Sequence, residues 1–194
     1  MHIRFEGASG EVTGSRYHIH TKVAGTSHNF LVDCGMFQGG RDADEKNAQP
    51  FGFSPKEIRF VVLTHAHIDH SGLLPRLCAN GFTGPIYCTP ATLDLLQVLL
   101  TDSAHIQLGE RQRADKKLAA GKWRGDLPQP LYYLNDVDQC IYQCRVVTYD
   151  TPTKIAPNVT LEFVDAGHIL GAASAVLDIT EDDETGGQQT KRLV

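Results

Sequence analysis

Apolar and polar positions alternate along the first third of the chain. "HIRFEGA" (His2–Ala8), "RYHIHTK" (Arg16–Lys22) and "HNFLVDCG" (His28–Gly35) each carry the period of two that marks a half-buried strand, and glycines bound them. "VAGTSH" (Val23–His28) is the expected hairpin turn between the last two. "GGRDADEKNAQPFGFSP" (Gly39–Pro55) loses the period, is rich in Gly, Pro and charge, and reads as a loop. Then "IRFVVLT" (Ile58–Thr64) is continuously apolar over a strand's length, as for a strand covered on both faces.

From there the period lengthens. "SGLLPRLCANG" (Ser71–Gly81) predicts a short helix stopped by Gly81, and "GPIYCT" (Gly84–Thr89) another strand. Residues Pro90–Gly121 predict a long amphipathic helix, with proline at its start and glycine after its end. "WRGDLPQPLYY" is a loop, and Asn135–Cys144 a second helix with Asn135 as N-cap. "RVVTYD", "VTLEFVDA" and "ASAVLDIT" return to strand patterns. Strands, then alternating strands and helices, then strands imply a mixed sheet flanked by helices, in the α/β or α+β class. In such sheets sites gather beyond the carboxyl ends of strands.

Composition narrows this only a little. A chain of 194 residues, 41% hydrophobic and 21% charged, fits one large globular domain. A net charge of −5 gives no bulk electrostatic footprint for nucleic acid, so a polyanionic substrate would need a metal, a local patch or a further segment. The five cysteines are odd in number and form no CxxC pair, and the N-terminus has no secretory apolar region. The expectation is free thiols in a reducing, cytoplasmic setting. Cys140 and Cys144, four apart, read as small buried hydrophobes rather than a metal pair. No apolar run reaches the length of a membrane span.

The chemistry concentrates in "LTHAHIDHSG" (Leu63–Gly72), where three histidines and an aspartate fall within six residues at the end of the apolar strand. In extended chain, His65 and His67 point to the same side and can converge on one ion. Asp69 and His70 follow where the chain turns toward the next helix, so they point elsewhere and suit a second, adjacent ion. Imidazole and carboxylate are the usual non-thiolate ligands of zinc. Two ions about 3.5–4 Å apart form a clamp for hydrolysis of a phosphate ester or acyl bond. His168, in "AGHILG", follows "TLEFVDA" as His65 follows "RFVVL". By pattern alone it is either a third ligand or a core or loop histidine.

The remaining polar groups read more plainly. His2, His18, His20 and His28 lie in or beside early strands as surface or packing residues, and His105 in the long helix reads as a hydrogen-bonded structural histidine. "GASGEVTGS" lacks the spacing and the Lys-Ser/Thr ending of a phosphate loop and reads as a tight turn near the site's mouth. Arg111, Arg113, Lys116, Lys117, Lys122 and Arg124 complement the dipole at a helix end, or touch a phosphate backbone.

"THAHIDHSG" resembles the HxHxDH signature of the metallo-β-lactamase superfamily. "GASGEVTGS", "LVDCGMFQG", "DSAHIQ" and "DAGHILGAAS" resemble, in order, motifs of its β-CASP branch of nucleases, across nearly the whole chain. The resemblance implies an αββα sandwich. It implies that His65, His67 and His168 hold one zinc and that Asp69 and His70 serve a second. Asp33, in "VDCG", would support the site by orienting a ligand histidine. Zinc-bound hydroxide would attack phosphorus in RNA, or in single-stranded DNA, with Asp69 acting through the metal-bound water.

Against that family pattern, residues 1–194 are expected to form only the N-terminal part of the lactamase-like domain. The bridging aspartate, the β-CASP cap and the closing strands would come later, and "KRLV" would be a strand cut off at its start. Three expectations follow: a weak second metal site, little nuclease activity in this stretch alone, and self-association through an open sheet edge and an uncovered apolar face. Two other functions stay open. One is a small-molecule hydrolase of the same superfamily, of thioesterase or lactonase type. The other is a non-catalytic metal-binding subunit of a processing complex.

Overall fold

The computed structural model describes residues 1–40, 42–183 and 185–194. Arg41, in the polar loop expected over 39–55, and Glu184 lie outside the described residues.

Two sheets stack face to face. The first holds β1 (His2–Gly7), β2 (Arg16–Val23), β3 (Thr26–Val32), β4 (Ile58–Val62), β5 (Ile86–Cys88) and β6 (Cys144–Val146), in that order. Its first three strands are antiparallel and the rest join in parallel from β3 onward. The second sheet is an antiparallel meander of β7 (Thr153–Ala156), β8 (Val159–Asp165), β9 (Ala173–Asp182) and β10 (Gln188–Leu193). The helices are α1 (Ala43–Ala48), α2 (Ile68–Ser71), α3 (Leu74–Ala79), α4 (Pro90–Ala119) and α5 (Leu134–Gln143).

Two cores result. Phe30, Phe60 and Val62 of the first sheet meet Leu161, Phe163, Leu177 and Ile179 of the second. On the other face, Leu31, Val61, Leu63 and Ile86 pack with Leu74, Leu77, Leu96, Leu100, Val137 and Cys140 of the helices. Helix, sheet and sheet form three layers, built on the continuous apolar reading of β4 and the alternation of β8 and β9.

Several boundaries differ from the sequence expectation. The hairpin turn shrinks to Ala24 and Gly25, both at positive φ, the conformation a two-residue turn between twisted strands requires. The polar stretch over 39–55 contains α1, whose anchor is not apolar. Buried Asn47 accepts from the Phe37 N–H and donates to its carbonyl, both at 2.8 Å. The helix expected over Ser71–Gly81 is α3, starting only at Leu74, and the separate short helix α2 precedes it, so Asp69 and His70 lie on a helical turn. α5 starts one residue before Asn135. Its first turn is closed by the Asp136 carboxylate accepting from the Tyr133 N–H at 2.8 Å, not by an Asn135 cap. Strand β7 had no signal, being four residues long. The strand expected at "KRLV" starts earlier, at Gln188: β10 pairs with β9 over six residues.

The outward face of the second sheet is largely polar. The outward positions of the second sheet include Thr160, Glu162, Ser174, Asp178 and Thr180, and Arg192 holds Asp178 at 2.7 Å. Apolar surface opens instead between the sheets. A cleft of about 720 Å³ runs from Ile3, Phe5 and Leu193 to His65 and His168.

Candidate metal centre

Strands β3 and β4 run side by side and end together, and the chemistry starts at that shared edge. Asp33 leaves β3 at φ 58°, a left-handed conformation that aspartate tolerates better than most side chains. The turn points its carboxylate across to the end of β4. There the Thr64 N–H donates to Asp33 Oδ1 at 2.8 Å, and Thr64 Oγ1 lies 3.0 and 2.9 Å from the two carboxylate oxygens. The same hydroxyl is 3.0 Å from His65 Nδ1. A hydroxyl has one proton, and the carboxylate can only accept. Thr64 therefore donates to Asp33 and accepts from His65 Nδ1–H. That places the His65 proton on Nδ1 and leaves Nε2 a bare lone pair.

Asp33 also reaches His70, with Oδ2 at 2.7 Å from Nδ1. One buried carboxylate thus sets two imidazoles, one directly and one through Thr64. Burial pulls the His70 pKa down, but the Asp33 hydrogen bond and charge outweigh it and hold it above the ordinary histidine value. His65 goes the other way. Burial, then the neighbouring His70, His67 and His168, depress it to about 4 against the pull of Asp33. A neutral His65 is the form that ligates metals.

Backbone clamps hold this turn. The Ser15 N–H donates to the Asp69 carbonyl, the Cys34 N–H to His70 and the Met36 N–H to Ile68, at 2.8–3.0 Å. Gly35 lies so close that a Cβ there would overlap the Asp69 carbonyl oxygen. "GASGEVTGS" and "DCGM" are therefore the brace for the motif, which gives the expected tight turn a definite task. Ser71 Oγ closes the turn from inside by donating to the carbonyls of Ala66 and His67.

His168 arrives from the second sheet, on the exposed loop between β8 and β9. Gly171, at φ 84°, sits against the backbone of Thr92. Its carbonyl accepts from Thr89 Oγ1 at 2.7 Å and Thr92 Oγ1 at 2.8 Å, at the start of α4. Ala173 N–H donates to the Thr64 carbonyl at 3.0 Å, and the Tyr149 hydroxyl to Ala172 at 3.0 Å. So latched, His168 Nε2 stands 3.1 Å from His67 Nδ1.

The donor atoms of His65, His67 and His168 all lie within 4.8 Å of one another. A tetrahedral zinc with bonds of about 2.0–2.1 Å spaces its ligands at about 3.3 Å, so a small closure completes the geometry. The decisive fit is at His65: its Nε2 is buried and has no hydrogen-bond partner. A buried lone pair without a donor needs a partner, and a cation shared with His67 and His168 would supply one. The second expected pair is less closed, with His70 Nε2 at 3.7 Å from Asp69 Oδ2.

The structure therefore brings His65, His67, His70, Asp69, Asp33 and His168 to one place. It leaves the other candidates outside. His105 is not held in a structural hydrogen bond but lies on the exposed face of α4. Its neighbours Ser103 and Gln107 instead hold Tyr132 and Leu131. All five cysteines are free and buried. Arg111 pairs with Asp115 at 3.1 Å, and Lys117 lies over Trp123. Sequence reasoning missed Thr64, Thr89, Thr92 and Gly171. Thr64 stood inside the motif, and Thr89 before Pro90 is an ordinary N-cap signal. What Gly171 touches had no local sign.

The family model for the metallo-beta-lactamase superfamily matches residues 22–153 of the chain. Among curated proteins, a ribonuclease of Thermus thermophilus is 36% identical over 170 residues, covering 88% of this chain and 33% of that protein. A transcription termination factor, FttA, of Methanothermobacter thermautotrophicus is 37% identical over 153 residues, covering 77% of this chain and 21% of that one. The chain thus spans a third or less of the length of these relatives. Among solved structures, the metallo-beta-lactamase SMB-1 in complex with mercaptoacetic acid superposes with a TM-score of 0.52 at 14% identity, over 99% of this chain and 60% of that one, a likeness of fold.

Proposed function

The chain belongs to the metallo-β-lactamase superfamily, and on that premise we propose that it serves a zinc-dependent, β-CASP-type phosphodiesterase that cuts RNA. The observation that carries the proposal is the bare, buried Nε2 of His65, set within 4.8 Å of the donors of His67 and His168. The names of the ribonuclease and the termination factor supply the RNA. Because the chain spans only part of those relatives, the activity is assigned to the whole protein, in which residues 1–194 form the first part of the lactamase-like domain. Its buried, free cysteines fit a reducing, cytoplasmic setting.

Zinc, when bound, would supply Lewis acidity and a water-derived nucleophile at neutral pH. The chain's own residues do the positioning. Thr64 keeps the His65 proton on Nδ1 and its lone pair toward His67 and His168. Asp33 keeps the His70 proton on Nδ1 and turns Nε2 toward Asp69. Asp69 and His70 form the second, weaker cation site, and Asp69 is the carboxylate placed to take a proton from attacking water.

The test is zinc content by mass spectrometry together with cleavage of end-labelled RNA. We expect His67→Ala to lose zinc and cleavage together. Thr64→Val should weaken zinc binding about tenfold, the effect of removing a ligand's supporting partner, while Thr64→Ser retains it. Undiminished cleavage by zinc-free protein would sink the proposal. The apolar cleft beside His65 and His168 favours a second reading, hydrolysis of a small apolar thioester or lactone. Turnover of such an ester with RNA left intact would decide for it.

A further inference from the structure

Next to the brace that holds Asp69 is a second pocket, of about 340 Å³, lined among others by Arg16, Arg76, Lys46 and Gln49. Arg16 is 8% exposed. Its Nη2 donates to the Glu6 main-chain carbonyl at 2.9 Å and the guanidinium lies beside the Cys34 thiol, but its buried Nε–H has no acceptor among the described residues. Arg76 donates to the carbonyls of Asn47 and Ala48. Carbonyls satisfy hydrogen bonds without neutralising charge. Among the described residues the arginines in ion pairs are Arg4, Arg111 and Arg192, not these two.

The other charges lining the pocket have ionic neighbours, although the buried Glu6 Oε1 has no hydrogen-bond partner among the described residues. Glu6 faces Arg4 at 3.1 Å and His18 at 3.8 Å, and Lys46 faces Glu11 at 2.7 Å and Asp42 at 2.8 Å. Arg4, Arg16, Lys46 and Arg76 against Glu6, Glu11 and Asp42 leave one positive charge in excess, and the two guanidiniums of Arg16 and Arg76 have no ion pair of their own. Both lie near one ring, with their central carbons 5.2 and 5.4 Å from the Phe51 centroid. Burial, and then repulsion from Arg16, hold the Arg76 pKa below its ordinary value. Two like charges withdrawn from water with no ion pair of their own are costly, and a ring face offsets only part of that. An anion that accepts from Arg16 Nε–H while lying near Arg76 would offset the rest.

We propose that this pocket binds a phosphate group, either free phosphate or the terminal phosphate of a nucleotide chain. A tetrahedral oxyanion presents several acceptors to planar guanidinium donors. Arg16 directly follows Ser15, whose N–H holds the Asp69 carbonyl, so a bound phosphate stiffens the brace of the metal turn. The proposal does not depend on the nuclease reading.

The test follows the arginine Nε–H signals of the full chain by NMR, with thermal unfolding in parallel, as inorganic phosphate is added at constant ionic strength. A saturable shift of the Arg16 signal and a rise in the unfolding midpoint are expected. Both should persist in His67→Ala, which separates this pocket from the metal centre. Arg76→Met should weaken the binding at least about tenfold, a loss of about 1.4 kcal/mol. If that variant fails to fold, the wild-type Arg16 signal decides alone. A 5′-phosphorylated trinucleotide that binds better than phosphate, with its 5′-hydroxyl counterpart silent, assigns the pocket to a nucleotide end; equal or weaker binding assigns it to free phosphate. An Arg16 signal unmoved by either ligand, or binding unchanged in folded Arg76→Met, overturns the proposal.

Discussion

The two loops that meet at the metal centre are built in opposite ways. His65, His67, Asp69 and His70 lie within six residues of chain, on a turn clamped by three backbone hydrogen bonds and by Asp33 beneath it. His168 stands alone, 101 residues from His67, on an exposed loop whose hold is the carbonyl of Gly171 against two threonines of α4. The first loop owes its shape to close backbone packing and the second to a latch between layers. A contiguous site can be rigid through its own neighbourhood. A remote ligand is only as well placed as the contact that carries it.

That difference can be broken from either side, and the largest effect belongs to the clamp. Gly35→Ala puts a methyl into the Asp69 carbonyl, where both partners are backbone and neither can swing away. We expect a loss of about 4 kcal/mol or more, an exceptional value for one methyl, seen as failure to fold or a large drop in denaturant midpoint. Near-normal stability would show that the clamp is looser than its geometry.

Gly171→Ala acts on the latch. The new methyl meets the Thr92 backbone at a positive φ that alanine resists, so a cost of about 1–3 kcal/mol is expected. The sharper expectation is selective. Zinc affinity should fall while the His65 and His70 ring signals keep their positions in NMR spectra. Movement of all the histidines together would mean that the loops are not independent.

The smallest effect is one of pH, and it belongs to the clamped loop. The unfolded chain protonates His65 near 6.5, whereas the folded chain resists until about 4. Between those values the unfolded state binds more protons, so the metal-free protein loses stability as pH falls from about 6.5 toward 4. His70 works with the opposite sign. Its raised pKa contributes stability that is present below the ordinary value and lost as pH rises through the folded one. A His65→Gln variant should flatten the acid-side loss in a series of unfolding midpoints. An unchanged acid limb would place the proton elsewhere.

Much of the fold was legible because its signals are local. The apolar run of β4, the alternation of β8 and β9 and the stop at Gly81 follow from which side chains must leave water and which backbone angles glycine allows. The misses have physical causes too. α1 is anchored by Asn47, a buried polar residue that no hydrophobic pattern reveals, and α5 closes through Asp136 rather than Asn135.

The sequence by itself determined the kind of chemistry. Three histidines and an aspartate at the end of a buried strand point to metal chemistry, because residue type and strand period are read directly from the chain. Tertiary structure decided which lone pair faces the site. That depends on one Thr64 proton shared between Asp33 and His65, and on a glycine carbonyl resting on a helix that begins some eighty residues earlier. It also decided that Arg16 and Arg76, sixty residues apart and ordinary in the sequence, would meet over Phe51 without an ion pair of their own. Hydrogen bonds and charges act through space, so their partners become known only when the layers are packed.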